Sequence, residues 1–172
     1  IPSLSFQLAF IMDNQTTEAV VKTLNKIETS LGYELFNQIF PVILTDNGSE
    51  FADIPGMEAS CVTEKQRTKI FFCEPNRSDE KGSCENHHKM IRYIIPKGSS
   101  LEPYTQADIT LMMNHINSYK RKALFGLSAY NLAQNALPDD FFTLLGIEEI
   151  PAEKIILRPS LISSQQSNCN IL

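Results

Sequence analysis

The chain contains no run of 18 apolar residues, so no segment reads as a transmembrane helix. Its first residues, IPSLSFQLAF, carry no basic stretch ahead of the apolar one and are not expected to act as a signal peptide. None of its four cysteines (Cys61, Cys73, Cys84 and Cys169) forms a C-x-x-C pair. The expectation is free, buried thiols of a cytosolic protein, with a disulfide left open by spacing alone. There is no internal repeat and no low-complexity tract. Positive charge is also scarce, with a net charge of −5, which argues mildly against nucleic acid as a partner.

What is present suffices for a folded domain. The 172 residues are 42% hydrophobic and 20% charged, enough to bury a core and too little charge for wholesale disorder. The charge is unevenly spread. Residues 1–80 hold 6 basic and 12 acidic side chains, and residues 123–172 hold 2 and 5. Residues 81–122 hold 7 basic and 3 acidic, a net +4 inside an acidic chain. Such a patch can be an ordinary solvated face or can track a phosphate backbone.

Periodicity predicts an α/β order. SFQLAFIM predicts a strand over about residues 4–12. A helix follows, capped by Thr16 or Thr17, with Ala19, Val20, Leu24, Ile27 and Leu31 on one face and Gly32 as its stop. FPVILTDN and TKIFFCE are short apolar runs and read as strands buried on both faces. IPGMEASCVTEKQ holds at most one short helix. SCENHHKMIRYIIP reads as a helix with Ser83 as N-cap and Pro96 as stop. TQADITLMMNHINSYKR reads as another, with Thr105 and Asp108 as a capping pair and Ile109, Met112, Met113 and Ile116 inward. LSAYNLAQNAL and PDDFFTLLG predict two short helices, the second stopped by Gly146. EIPAEKIILRPSLI is expected to be extended and the polar tail SSQQSNCN to fray.

Two carboxylates stand out. Asp46 ends a predicted buried strand and precedes Asn47 and Gly48. Asp-Asn-Gly can simply make a turn, yet residues at the carboxyl ends of strands in α/β sheets also build sites. Glu85 falls in the first turn of its helix, where it can serve as a capping acid or as a metal ligand. Lys89 and Arg92 follow at i+4 and i+7 on the same face, which suits either helix stability or a phosphate beside a metal. Asp79 and Glu80 compete with Glu85 for that role. Glu50 and Asp53, close to Asp46, can serve as accessory ligands but are expected to be solvent-exposed turn acids. His87 and His88 are adjacent, so they point apart and make a poor ligand pair, and His115 reads as an ordinary helix histidine.

LTDNGSEF, then KGSCENHHKMIRYIIPKGSS, then INSYKRKALFGLSAYNL resembles in order the catalytic core of Asp-Asp-Glu transposases of bacterial insertion sequences, a class that includes retroviral integrases. The resemblance runs from about residue 5 to residue 135. It implies a ribonuclease-H-like α/β core, with a central sheet flanked by helices, and a helical C-terminal part. Residues 1–136 would be the partial core and 137–172 a trailing helical and extended segment. Asp46 would be the second catalytic acid and Glu85 the third, with 38 residues between them, together holding Mg²⁺ or Mn²⁺. The family's first Asp lies on an opening strand that this chain lacks, and Asp13 does not match it. Asn47, Asn86, Lys89, Arg92, Lys97, Lys120, Arg121 and Lys122 would lie along DNA. The implied function is metal-dependent DNA cleavage and strand transfer in transposition, incomplete in these residues alone. The implied protein is a homo-oligomer in the bacterial cytoplasm, away from membranes. A metal-dependent nuclease of the same fold and a non-catalytic DNA-binding or dimerising remnant are the alternatives.

Overall fold

Thr16 opens the first helix in the computed structural model, which describes residues 1–73 and 89–162. Its backbone is extended, and its hydroxyl accepts from the Ala19 N–H at 3.3 Å. That bond satisfies one of the donors a helix start leaves open. The helix α1 spans Thr17–Leu31 and buries Ala19, Val20, Ile27 and Leu31. Gly32 ends it at φ 76°, a backbone conformation that disfavours residues with a Cβ, and α2 (Tyr33–Ile39) follows at once.

The chain then makes a strand, a helix and a parallel strand: β1 (Val42–Thr45), α3 (Ile54–Glu58) and β2 (Lys69–Phe72). Val42 pairs with Lys69 and Thr45 with Phe72. Ile43 and Ile70 turn to one face, against Val20, Leu24 and Met57. The strands were expected to be buried on both faces, and this is corrected: Val42, Leu44 and Phe71 on the other face are 53%, 53% and 52% exposed. A continuous apolar run does not reveal how many faces of its strand find cover.

The chain divides into two compact units. One comprises 12–77 and 137–146, and so contains α1, α2, the strands, α3 and α7 (Asp139–Leu144). The other comprises 1–11, 78–136 and 147–172. In it lie the helical residues 89–94 (α4), then α5 (Gln106–Ser118) and α6 (Ala129–Gln134). Its core joins Ile94, Ile95, Ile109, Met112, Met113, Ile116, Leu161 and Ile162. Thr105 and Asp108 form the expected capping box on α5, and Ser128 with Asn131 forms a second on α6. Helix α4 ends before Pro96, and Gly146 at φ 64° follows α7; both stops agree with the reading of the sequence.

The predicted strand over residues 4–12 is not a strand. Pro2–Leu4 is a 3₁₀ turn, and the residues after it pair with no strand among the described residues. Helix α5 supplies their hydrogen bonds instead. The Asn117 amide accepts from the Gln7 N–H at 3.0 Å and donates to the Gln7 carbonyl at 2.8 Å. The Gln106 amide accepts from the Ile11 N–H at 2.9 Å and donates to the Ala9 carbonyl at 3.0 Å. Eleven residues are close to three helical turns, so Gln106 and Asn117 share a face about 16 Å apart. An extended Gln7–Ile11 spans roughly 13 Å, which lets both amides reach it. The period-2 pattern was real, but a helix took the place of a neighbouring strand.

Two further expectations are corrected. EIPAEKIILRPSLI is not extended throughout: Ala152–Lys154 forms a 3₁₀ turn and residues 160–162 are helical. Cys61 is exposed rather than buried, and Cys73 is half-buried; both are free thiols. Cys84, Cys169, the start of the Ser83 helix and the polar tail lie outside the described residues.

Candidate metal and nucleic-acid site

Asp46 follows the last residue of β1, at the carboxyl end of a parallel strand. Its Oδ1 accepts from the Gly48 N–H at 3.2 Å, the Asx turn expected of Asp-Asn-Gly. Asp46 and Asn47 are both exposed. An exposed carboxylate with a second oxygen is a hard donor of the kind Mg²⁺ accepts. One carboxylate does not make a metal site, and among the described residues no group of three or more His, Cys, Asp or Glu side chains is arranged to hold a metal ion.

The neighbouring acids serve the turn. Asp53 caps α3 by accepting from the Gly56 N–H at 3.0 Å. Glu50 accepts from the Gln15 amide at 2.6 Å. That bond, with its own backbone N–H, holds its carboxyl below the usual value. Asp13 is paired with Lys22 at 2.9 Å on the surface.

Glu85 and Asn86 lie outside the described residues, as do Asp79, Glu80, His87 and His88. The candidate cations on described residues belong to the unit built on α5. Lys89 and Arg92 are exposed on α4, whose Ile94 turns into the core. Lys97 is exposed in the turn after Pro96. Lys120 and Lys122 are exposed on the loop between α5 and α6. Arg121 between them differs: it is half-buried and donates to the Ile116 carbonyl at 3.2 Å. Burial pushes its guanidinium pKa down, and its Nε has no hydrogen-bond partner among the described residues.

Sequence reasoning passed over three residues. Glu28 and Arg67 form an ion pair at 3.0 Å with both side chains fully buried. Arg67 also donates to the carbonyls of Met57 at 2.8 Å and Gly56 at 3.1 Å and to Asn25 at 2.6 Å. Glu28 takes further bonds from the Ser60 hydroxyl and the Cys61 N–H. Burial pushes the Glu28 carboxyl up, but these bonds outweigh it and hold the pKa below its ordinary value. Nothing local marks two charges 39 residues apart as partners. The third is Phe125, 99% exposed on the α5–α6 loop. His115 behaves as expected: it is buried, its Nδ1 accepts from the Ile156 N–H at 3.1 Å, and burial lowers its pKa.

Known proteins resemble parts of the chain. A transposase for insertion sequence element IS4351 of Bacteroides fragilis is 37% identical over 82 residues, 48% of this chain and 24% of that protein. The transposase for IS30A of Escherichia coli is 36% identical over 56 residues, 33% of this chain and 15% of that protein. A probable transposase for IS1161 of Streptococcus salivarius is 29% identical over 121 residues, 65% of this chain and 32% of that protein. The chain thus spans about a third or less of the lengths of these relatives. No family model matches, and no solved structure matches. Among the described residues, no helix is long and apolar enough to cross a membrane.

Proposed function

We propose that this chain, which resembles insertion-sequence transposases over part of its length, belongs to the catalytic region of an enzyme that cuts and joins DNA. The partial identity to several transposases carries the reading. Asp46, exposed at the carboxyl end of a parallel strand, supports it. The β1–α3–β2 unit would then be part of a ribonuclease-H-like sheet.

In this reading Asp46 and Glu85 offer hard oxygen ligands to Mg²⁺ or Mn²⁺, and the bound metal supplies Lewis-acid activation for phosphoryl transfer. The protein's own part is to position the strand and neutralise its charge. Lys89, Arg92, Lys97, Lys120 and Lys122 would hold phosphates, and Asn47 and Asn86 would contact DNA beside the two acids. Arg121 would steady the loop that carries its neighbours. The protein would act in the bacterial cytoplasm as a homo-oligomer. The alternative reading is a non-catalytic DNA-binding or dimerising remnant.

Calorimetric titration of Mn²⁺ into the wild type, Asp46→Ala and Glu85→Ala tests the metal. Binding in the wild type that disappears in both variants is the expected result. Mn²⁺ binding in the wild type that persists unchanged in both variants would sink the metal role of these two acids.

A further inference from the structure

The loop joining α5 to α6 is built to hold one side chain away from the protein. Its base is closed twice: Lys120 and Ser128 form an antiparallel bridge, and the Arg121 N–H donates to the Leu127 carbonyl at 3.0 Å. Arg121 ties the base to α5 through the Ile116 carbonyl at 3.2 Å. Ser128 is buried and caps α6. Inside this frame Lys122–Leu124 is a 3₁₀ turn. The N–H groups of Phe125 and Gly126 return to the Lys122 and Arg121 carbonyls at 3.0 and 3.1 Å. The tip is therefore fixed rather than loose.

Phe125 sits at that tip, 99% exposed, with φ 55°. Folding gives no reason for a phenylalanine there. It buries nothing, and its backbone lies in the left-handed region that disfavours bulky side chains. Gly126 next to it, at φ 84°, shows that glycine is accepted in this turn. A rigid, exposed and strained aromatic is a feature that binding explains and stability does not. Its surroundings name the chemistry of the partner. Lys120 and Lys122 are exposed on the same loop, and Tyr119 and Leu127 are each 44% exposed. A flat apolar ring beside two ammonium groups suits a strand that alternates base faces with phosphates.

We propose that this loop is a stacking finger for unpaired DNA: Phe125 lies against the face of an exposed base, and Lys120 and Lys122 hold phosphates of the same strand. This rests on the proposed action on DNA and adds to it a preference for single-stranded or opened substrate. Opened strands are what cutting and joining must handle, and a stacking ring tolerates any base.

The test uses the whole chain and fluorescence anisotropy with a labelled single strand of about 20 nucleotides and its duplex. Phe125→Ala is expected to weaken single-strand binding roughly 5- to 140-fold, the worth of one stacked base, with duplex binding little changed. Phe125→Trp should retain it. Lys120→Ala and Lys122→Ala should each lower the slope of log affinity against log salt by about 0.7, which Phe125→Ala should leave alone. Because Phe125 packs against nothing, its replacement leaves the fold intact. If the wild type binds DNA and Phe125→Ala binds it equally, the finger is wrong and the DNA reading survives. If the wild type binds neither strand form, both fall. Loss in Phe125→Ala of binding to phosphatidylserine vesicles, with DNA binding unchanged, overturns the proposal in favour of a membrane surface.

Discussion

The two compact units are each pinned by a buried polar device, and the devices differ in kind. Around α1 it is a charged pair, Glu28 with Arg67, fully enclosed and joined to backbone groups at 56, 57 and 61. Along α5 it is neutral: Asn117 and Gln106 hold the backbone of residues 7–11, and His115 accepts from Ile156. The charged pair locks the loop before β2 onto α1. The amides bond this backbone as a neighbouring strand would. Loss of one partner leaves a buried charge alone in the first device and buried backbone groups unbonded in the second, and the lone charge costs more.

The sharpest way to break the comparison is Arg67→Met. It leaves Glu28 buried without its cation and is expected to cost about 3–5 kcal/mol in urea unfolding. Exchanging both partners for apolar residues, Arg67→Met with Glu28→Leu, should recover much of that loss. Asn117→Leu strands the Gln7 N–H and carbonyl in a buried place and should cost about 2 kcal/mol. Gln106→Ala, at an exposed position, should cost under about 1 kcal/mol and show mainly as faster hydrogen exchange at the Ile11 amide.

Acid separates the two units in a second way. Burial depresses the pKa of His115 below its ordinary 6.5. Its contribution is whole above that pH and is lost as pH falls through the folded value. Glu28 is also depressed, from 4.5, so its contribution is whole above about pH 4.5 and is lost only below it. Hydrogen exchange followed from pH 7 downward should therefore show α5 amides loosening before α1 amides. Glu28→Gln should flatten the later loss and leave the earlier one. Simultaneous loosening at every pH would show that the devices are not independent. The smallest effect is expected from Phe125→Gly, which relieves the left-handed backbone and should raise stability by about 0.5 kcal/mol without shifting either acid window.

How far the sequence could be read follows from the range of each interaction. Helices α1 and α5 were legible to their caps, because Thr16, Gly32 and the Thr105–Asp108 box act within a few residues of themselves. The Asp46 turn was legible for the same reason. Its partner at Glu85 was suggested by motif order and by Lys89 and Arg92 at i+4 and i+7 on the same face. Residues 4–12 were misread because the pattern of a strand says nothing about what will bond to it. Phe125 was passed over because exposure at a loop tip depends on how the loop is closed, and Lys120 and Ser128 close it from opposite ends.

By itself the sequence determined the α/β class, the caps of α1 and α5, the stops of α1, α4 and α7, the apolar faces of α1 and α5 and the likeness to insertion-sequence transposases. These rest on neighbours along the chain and on residue order. Tertiary structure alone decided that Glu28 and Arg67 meet, that side-chain amides of α5 replace a strand, that Val42, Leu44 and Phe71 face outward, and that Phe125 stands clear of the protein. Each of these depends on what lies across space. A buried backbone group left unpaired costs about 1–3 kcal/mol, and a charge more, whereas a paired backbone group is net favourable, so distant partners settle which local patterns survive.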